Sequence, residues 1–189
     1  MKNNEKWNVE WLSPFTDETA GQDARSFCLA QIKEVYSIDY SKVWHTDLDS
    51  LVLPASSNWF SAANGGIFNI ARDGDGQIVA SAGLYDLKRK PATFERLASR
   101  YPEEARICQI VRVYIKRTAR RGGLGRRLVA MLENDARELG YSVAYLHADA
   151  GTPGTLMFWA ECGFREFGKF SYPSPTGIDT SVEYEKAFR

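Results

Sequence analysis

The sequence predicts an α/β fold of the α+β type, in which helices flank a mixed, mostly antiparallel sheet of about six to seven strands. Three observations support this prediction: apolar runs of strand length bounded by turns, long segments with helical spacing, and one strand–turn–helix–strand order that requires a parallel pair. At 189 residues the chain is long enough for one well-buried domain and short for two. We therefore expect a single domain over residues 1–189.

Local patterns determine the order of these elements. The predicted elements are a possible strand at 7–12, a helix led by the polar segment 16–22 and ending near Tyr36, a loop with a short helix at 39–53, strands at 66–72 and 77–85, a polar segment with a short helical pattern at 88–104, a long strand at 107–115, a helix at 124–139, a strand at 142–148, a short helix at 155–162, and last strands near 165–172 and 180–187. Residues 73–76, Asp-Gly-Asp-Gly, predict a hairpin because their glycines supply positive φ. Gly140 and Gly163 are expected to end the helices before them. The polar segment 88–104 interrupts the sheet and is expected at the surface near a ligand.

Charge and cysteine content exclude several classes of protein. The 24 basic and 24 acidic side chains give a formal net charge of zero, so no bulk attraction to nucleic acid or to a membrane is expected. Cys28, Cys108 and Cys162 are odd in number and lack close metal-ligand spacing, which favours reduced thiols and predicts no metal site. Residues 1–11 lack an apolar signal core, and no apolar run approaches the roughly 20 residues that span a bilayer. We expect a cytoplasmic protein.

One turn in the carboxyl-terminal half carries the strongest functional signal. Residues 120–125, Arg-Arg-Gly-Gly-Leu-Gly, lie between the apolar run 107–115 and the helical pattern that begins near Leu124. A turn in that place presents unpaired backbone amides at the positive end of a helix dipole, and glycine lets a bulky ligand approach the backbone. Arg126 and Arg127 add positive charge. The turn predicts a site for an anion such as phosphate, the alternative being glycine used only to make a tight turn.

The common phosphate motifs do not match this turn. A Walker-type loop ends in Gly-Lys followed by Ser or Thr, whereas Gly125 is followed by Arg126 and Arg127. A dinucleotide fingerprint needs a third glycine, which is missing here although Asp149 lies roughly where an acidic residue is required. The sequence therefore argues against nucleoside triphosphate hydrolysis and gives only weak support to dinucleotide binding.

Two motifs resemble those of the GNAT superfamily of N-acetyltransferases. Arg120-x-x-Gly123-x-Gly125 is similar to the Arg/Gln-x-x-Gly-x-Gly/Ala signature with which that family binds the pyrophosphate of acetyl-coenzyme A. Residues 155–164, Thr-Leu-Met-Phe-Trp-Ala-Glu-Cys-Gly-Phe, resemble the family's Ala-x-x-Leu/Phe-Tyr-x-x-x-Gly-Phe segment, and residues 109–115 resemble the strand before the signature. Residues 34–54 are similar to a branch of small bacterial-type members.

The resemblance implies a GNAT fold and an acetyl-coenzyme A-dependent N-acetyltransferase that acts by direct transfer in a ternary complex, without a metal. In that fold the strand before the pyrophosphate turn splays from its neighbour, and its free backbone groups pair with the pantetheine arm. The implied acetyl-coenzyme A-binding residues are Val113, Tyr114, Ile115, Arg120, Arg121, Gly122, Gly123, Leu124, Gly125, Arg126, Thr152 and Phe158.

The residues expected to handle protons depart from the family pattern. Trp159 stands where the family usually has a tyrosine that protonates the departing thiolate, and an indole N–H is far too weak an acid for that step. Gln109 stands where the branch tends to have glutamate, and an amide cannot serve as a base. Both residues are retained as catalytic candidates, Trp159 for packing and hydrogen bonding and Gln109 for orienting a substrate. Replacement acids in the sequence are Cys162, Tyr145 and Tyr172, each more often structural than catalytic.

His147 and Asp149 are the remaining catalytic candidates, and both fall on the strand predicted at 142–148 or at its end. Histidine titrates near neutrality, so His147 is a candidate base if it faces the acceptor cleft rather than the core. Asp149 is placed to hold the acceptor ammonium, to act through a water, or to cap the following loop. Asp39, Asp47 and Asp49 form an acidic neighbourhood that either shapes the acceptor pocket or is a solvated loop.

No residue identifies the acceptor. A primary amine of a small molecule is expected, such as an amino acid, a polyamine or an amine-bearing antibiotic, and a protein or peptide amine is an alternative. Trp159 and Gln109 also suggest a catalytically degenerate protein that binds acetyl-coenzyme A as a sensor or partner. Nucleic-acid binding by the basic residues around the turn is opposed by the glycine geometry, the zero net charge and the lack of interleaved aromatic residues. Homodimers are common among similar proteins.

Overall fold

The computed structural model describes residues 7–11, 18–174 and 177–188, and a seven-stranded sheet forms the centre of this part of the chain. Its strands are β1 (Asn8–Trp11), β2 (Ile67–Arg72), β3 (Ile78–Asp86), β4 (Ile107–Ile115), β5 (Val143–Asp149), β6 (Arg165–Ser174) and β7 (Gly177–Ala187). The α-helices are α1 (Glu18–Tyr36), α2 (Thr46–Ser50), α3 (Pro91–Leu97), α4 (Leu124–Glu138) and α5 (Pro153–Glu161). The predicted mixed sheet with flanking helices is confirmed. Residues 12, 16 and 17 of the predicted first elements lie outside the described residues.

The strand order is β1-β2-β3-β4-β5-β7-β6, and neighbours are antiparallel except for β4 and β5. These two strands are joined through α4 and pair in parallel over only three residues each, Ile107 to Gln109 with Val143 to Tyr145. Beyond Gln109 and Tyr145 they diverge. The sheet therefore has an opening between β4 and β5, and the edges of both strands that face it have no strand partner there.

Helices cover both faces of the sheet. The apolar residues of α4 recur at helical spacing and pack on one face, where Leu128, Val129 and Leu132 are fully buried beside β3 and β4. The opposite face is covered by α1 and α2, whose Cys28 and Leu48 are fully buried in a separate cluster. Within the described ranges, no helix has the length and apolar character needed to cross a membrane.

A β-bulge at Arg112 changes which side chains of β4 face each layer. Between paired residues, β3 advances from Ser81 to Gly83 while β4 advances from Val111 to Tyr114, so β4 carries one extra residue. Arg112 adopts φ 55°, a left-handed conformation that is unfavourable for a residue with a side chain. Because of the extra residue, Val111 and Tyr114 both pack on the α1 side of the sheet, which strict alternation would not allow.

The glycines expected to end helices and turns have mixed outcomes. Gly140 and Gly163 follow α4 and α5 with φ of 79° and 82°, as predicted. In the hairpin between β2 and β3, only Gly76 has a positive φ, of 77°. The prediction that both glycines of this turn supply positive φ was wrong for Gly74, because the amide of Gly76 bonds the Asp73 carbonyl and one left-handed residue suffices to reverse the chain.

Candidate active site

Two cavities lie at the opening between β4 and β5. The turn cavity has a volume of about 730 Å³ and contains the glycine–arginine turn before α4. The hairpin cavity has a volume of about 570 Å³ and is bordered by the β6–β7 hairpin, α1, α2 and the start of α3. Tyr36 and Tyr114 line both cavities, so the two meet at these two phenols.

The turn before α4 has the geometry of an anion site. Gly123 adopts φ 78° at the helix start, and Arg121 adopts φ 67° two residues earlier. The first backbone hydrogen bond of the helix runs from the Arg127 amide to the Gly123 carbonyl. In the described part of the chain, the backbone amides of residues 123–126 have no hydrogen-bond partner. Free amides at the positive end of a 15-residue helix bind negatively charged groups.

The two signature glycines are required for different reasons. A Cβ on Gly123 would have open space around it, so the left-handed backbone is what requires glycine there. A Cβ on Gly125 would lie 2.7 Å from the Cδ1 atom of Ile115 and 3.2 Å from the Phe158 ring. Gly125 therefore lets α4 pack closely on β4 and α5, whereas the sequence had suggested only an approach to the ligand.

The structure brings together nearly all of the predicted cofactor residues. Those that line the turn cavity are Val113, Tyr114, Ile115, Arg120, Arg121, Gly123, Leu124, Gly125, Arg126, Thr152 and Phe158. Gly122 is on the turn but does not line this cavity, and a Cβ on it would lie 3.6 Å from the Trp7 indole nitrogen. The cavity thus combines an amide-rich, basic end with an apolar wall beside the unpaired edge of β4, a combination that fits a long ligand with phosphates at one end.

Trp159 also lines the turn cavity, and its ring is firmly packed. It is 5% exposed and makes edge-to-face contacts with Phe158 and Phe164 at centroid distances of 5.1 and 5.3 Å. The side chain therefore supports the cavity wall.

Gln109, His147 and Asp149 are the three other predicted catalytic residues, and all line the hairpin cavity. His147 faces the cavity rather than the core, since its neighbours Leu146 and Ala148 are the residues of β5 buried under α4 and α5. The carboxylate of Asp149 accepts a hydrogen bond of 3.0 Å from the amide of Gly151 and so caps the loop after β5. That contact uses Oδ1, and in the described chain no cation pairs with the carboxylate.

A hydrogen-bonded network behind His147 determines its tautomer. The Tyr145 hydroxyl donates to Glu183 at 2.9 Å and accepts from Arg96 at 3.2 Å, and it lies 3.4 Å from His147 Nδ1. Because the single phenolic proton is committed to Glu183, the Nδ1 position must carry the proton shared with Tyr145. The lone pair of His147 is then on Nε2.

The electrostatic surroundings keep His147 neutral. Desolvation by the surrounding protein lowers the pKa of His147 first, and the positive charges of Arg96, Arg112 and Lys90 lower it further. The ring keeps solvent contact through the open cavity, and Phe170 packs edge-to-face against it at 5.4 Å. A neutral imidazole at pH 7 with a free Nε2 can act as a base.

Asp47 and Arg112 form a buried ion pair on the cavity wall. Arg112 Nε and its terminal nitrogen reach the two carboxylate oxygens of Asp47 at 2.7 Å each, and the guanidinium also donates to the Trp44 carbonyl at 3.0 Å. Burial alone would raise the pKa of the Asp47 carboxyl, but the Arg112 guanidinium more than offsets it, so the pKa is lowered. The interpretation of the acidic neighbourhood as a solvated loop therefore does not apply to Asp47, although Asp39 is exposed.

Gln109 contributes an unsatisfied amide. The residue is 4% exposed, and within the described ranges its Oε1 atom is buried without any hydrogen-bond partner. Buried polar atoms of this kind are uncommon and are often completed by a ligand.

Sequence reasoning did not identify four residues of this region: Tyr36, Lys90, Thr93 and Arg112. The available signal for Arg112 was a charged residue inside the apolar run 107–115. The bulge of β4 explains how this residue is accommodated in the strand. Tyr36 closes α1 and is followed by Ser37 at φ 57°, which no sequence pattern indicated. Lys90 and Thr93 reach the cavity only because the segment after β3 folds back over it.

Comparison with known proteins identifies the family. The acetyltransferase (GNAT) family model matches residues 29–164. Among proteins of curated function, none matches the chain in sequence. The fold is similar to a GNAT-family acetyltransferase from Staphylococcus aureus Mu50 (TM-score 0.69, 16% identity, covering 97% of this chain and 99% of that one). It is also similar to the ribosomal-protein-alanine N-acetyltransferase of Brucella melitensis (0.67, 18%, 96% and 99%) and to Arabidopsis thaliana NAA60 in complex with acetyl-CoA (0.68, 13%, 96% and 98%).

Proposed function

Because this chain belongs to the GNAT acetyltransferase family, we propose that it transfers an acetyl group from acetyl-coenzyme A directly to a primary amine of a small molecule in a ternary complex. The observation that carries this proposal is the meeting of the two cavities at Tyr36 and Tyr114. A donor in the turn cavity and an acceptor in the hairpin cavity would reach each other there without a covalent enzyme intermediate.

The turn cavity is assigned to acetyl-coenzyme A. The free amides of residues 123–126 and the side chain of Arg121 would hold the diphosphate, and the unpaired edge of β4 at Val113 to Ile115 would bind the pantetheine amides. Gly125 and Phe158 shape the wall beside it. When bound, the cosubstrate supplies the acetyl group and leaves as the free thiol.

His147 is assigned as the base. Its Nε2 lone pair faces the cavity, and Tyr145 and Glu183 hold the ring in that tautomer as positioning residues. The acceptor ammonium first releases one proton to solvent. The neutral amine nitrogen then bonds to the acetyl carbon and loses a second proton, which Nε2 accepts. Since the imidazole is neutral at pH 7, no deprotonation of the base has to precede this step.

Tyr36 is assigned as the acid that replaces the tyrosine missing at Trp159. It is half-buried where the cavities meet, and no hydrogen bond of its hydroxyl is found among the described residues. Burial, followed by the charges of Asp149 and Tyr172, raises the pKa of Tyr36, so the phenol keeps its proton until the carbon–sulfur bond breaks. Tyr114 is less suitable because it interacts with the Arg112 guanidinium. The proton on His147 returns to Tyr36 through solvent.

A small acceptor is favoured by the size of the hairpin cavity. Its volume of about 570 Å³ lies in the range of small-molecule pockets. The test is release of free thiol from acetyl-coenzyme A with separate panels of small amines and of peptides. Turnover with small amines supports the proposal. Turnover with peptides alone would contradict the small acceptor, and tight coenzyme A binding without any turnover would contradict the enzyme.

A further inference from the structure

The geometry of the hairpin cavity points to an acceptor that carries a carboxylate as well as its reacting amine, with Lys90 and Thr93 recognising the carboxylate. This inference rests on the proposed function, in which the hairpin cavity holds the acceptor. It narrows the acceptor to the class of amino acids and excludes simple polyamines.

Lys90 is a cation that forms no ion pair with any described residue. It lines the cavity and is partly buried, yet within the described ranges no carboxylate lies within 4.0 Å of its ammonium group. Its other contact is with the ring of Trp59, 5.3 Å from the centroid. Burial lowers the pKa of Lys90; the Asp47 carboxylate offsets only part of this effect, and the Arg112 guanidinium lowers the pKa further. An anionic ligand group would supply the missing partner.

The acids nearest to this end of the cavity are already neutralised. Asp47 is bound at both oxygens by Arg112, and Glu183 is paired with Arg96 at 2.6 Å. Lys90 therefore leaves an excess of positive charge here. Burial is the main cause of the lowered pKa of His147, and Arg96, Arg112 and Lys90 lower it further.

Uncharged polar side chains also line the cavity. Gln109 on β4 pairs with Tyr85 on β3 and with Tyr145 on β5. It therefore lies at the end of the cavity where these three strands are still paired. The buried Oε1 atom of Gln109 is an acceptor, so it cannot bind a carboxylate, whereas the Thr93 hydroxyl beside the cavity can donate to one. The Lys90 ammonium and the Thr93 hydroxyl line the same cavity, and both can donate to a carboxylate.

The opposite end of the cavity has the opposite charge. Asp149 lies across from Ser181 on β7, and Asp179 is two residues before Ser181 on the same face. Neither carboxylate is paired with a cation among the described residues. His147 lies two residues from Asp149 and two from Tyr145, about 7 Å from each end at the spacing of a strand. An ammonium drawn toward the acids would therefore approach His147, while a carboxylate would lie toward Lys90.

A polyamine does not match this arrangement, because its second ammonium would lie beside Lys90. The distinction can be measured with matched amines that differ only at the carboxylate: an amino acid, its carboxamide and its decarboxylated amine, for example methionine, methioninamide and 3-(methylthio)propylamine, across several side chains. For the unmodified protein we expect kcat/KM to be about 10-fold or more higher for the acid than for the amide.

Variants of Lys90 test the assignment. Lys90→Met should remove the preference for the acid by lowering kcat/KM for the acid about 10-fold more than kcat/KM for the amide, and Lys90→Glu should shift preference toward the decarboxylated amine. Lys88→Met, in an exposed side chain that packs over Phe94, is the control and should keep the preference. Coenzyme A affinity and thermal stability are measured for each variant to show that it is folded.

Two results overturn the inference: equal rates for acid and amide with the unmodified protein, or a preference that survives in both Lys90 variants. In either case turnover of amines persists and the proposed function stands. Absence of turnover with every amine, with coenzyme A still bound, would instead overturn the proposed function and this inference with it.

Discussion

Arg112 binds both carboxylate oxygens of Asp47 at 2.7 Å and thereby ties the bulge of β4 to α2. Arg112 is in a left-handed conformation, and its own carbonyl accepts a hydrogen bond of 2.8 Å from Ser81. These contacts offset the local backbone strain. The bulge they support turns Tyr114 toward the place where the two cavities meet.

Asp47→Asn should destabilise the protein strongly. The asparagine leaves the Arg112 guanidinium buried without a negative partner, so we expect a loss of about 3–5 kcal/mol in the free energy of unfolding, measured with denaturant. Asp39→Asn removes an exposed pair with Lys33 and should cost less than about 1 kcal/mol. Similar losses for both variants would show that the buried pair is not stabilising.

The same pair predicts a pH dependence of stability. The pKa of Asp47 is lower in the folded protein than the ordinary value of 3.8, so its contribution is present above that value and is lost as the pH falls through the folded pKa. The free energies of unfolding of the unmodified protein and of Asp47→Asn, measured from about pH 6 down to about pH 2, should therefore differ by a constant amount above about pH 4 and converge below it. A difference that stays constant with pH would contradict this.

Gly123→Asp should abolish tight binding of coenzyme A. The new side chain forces a left-handed backbone on a non-glycine residue and places a carboxylate among the free amides of α4. We expect calorimetric titration to show an affinity lower by about 100-fold or more, which is roughly 3 kcal/mol. Gly74→Asp in the β2–β3 turn, where a Cβ has open space, is the control. Unchanged affinity in Gly123→Asp would refute the placement of the diphosphate.

His147→Gln should lower kcat by about 100-fold or more and change the pH profile. Because the pKa of His147 is lowered, the unmodified protein should lose activity only as the pH falls below the ordinary histidine range near 6.5 and the ring takes up a proton. The variant should lack this acidic limb. An unchanged limb in His147→Gln would assign the titration to another group.

Tyr36→Phe should lower kcat by about 100-fold while coenzyme A affinity is retained, because the leaving thiolate loses its proton donor. Tyr40→Phe, in an exposed tyrosine bonded to Asp49, serves as control. Adding Trp159→Tyr to Tyr36→Phe restores a phenol at the family's usual position and should recover activity. A Tyr36→Phe enzyme with normal kcat would remove Tyr36 from the mechanism.

Much of the fold and of the turn cavity follows from local sequence patterns. The amides before α4 are free because glycine and helix start are adjacent in the chain, and Leu128 and Leu132 are buried because their spacing matches one helical face. These features depend on neighbours a few residues apart. The role of Arg112 depends instead on Asp47, 65 residues away, and the position of Lys90 depends on a reversal of the chain after β3. No local pattern therefore indicated the role of either residue.

The sequence by itself determined the strand and helix order, the parallel step through α4 and the place of the glycine–arginine turn before that helix, because backbone sterics and hydrophobic periodicity act over short distances. Only the tertiary structure decided that β4 and β5 part after Gln109, that the bulge redirects Tyr114, and that Tyr36, His147 and Lys90 share one pair of cavities. Side chains from separate elements converge there through packing of both faces of the sheet, and that convergence is a property of the whole fold.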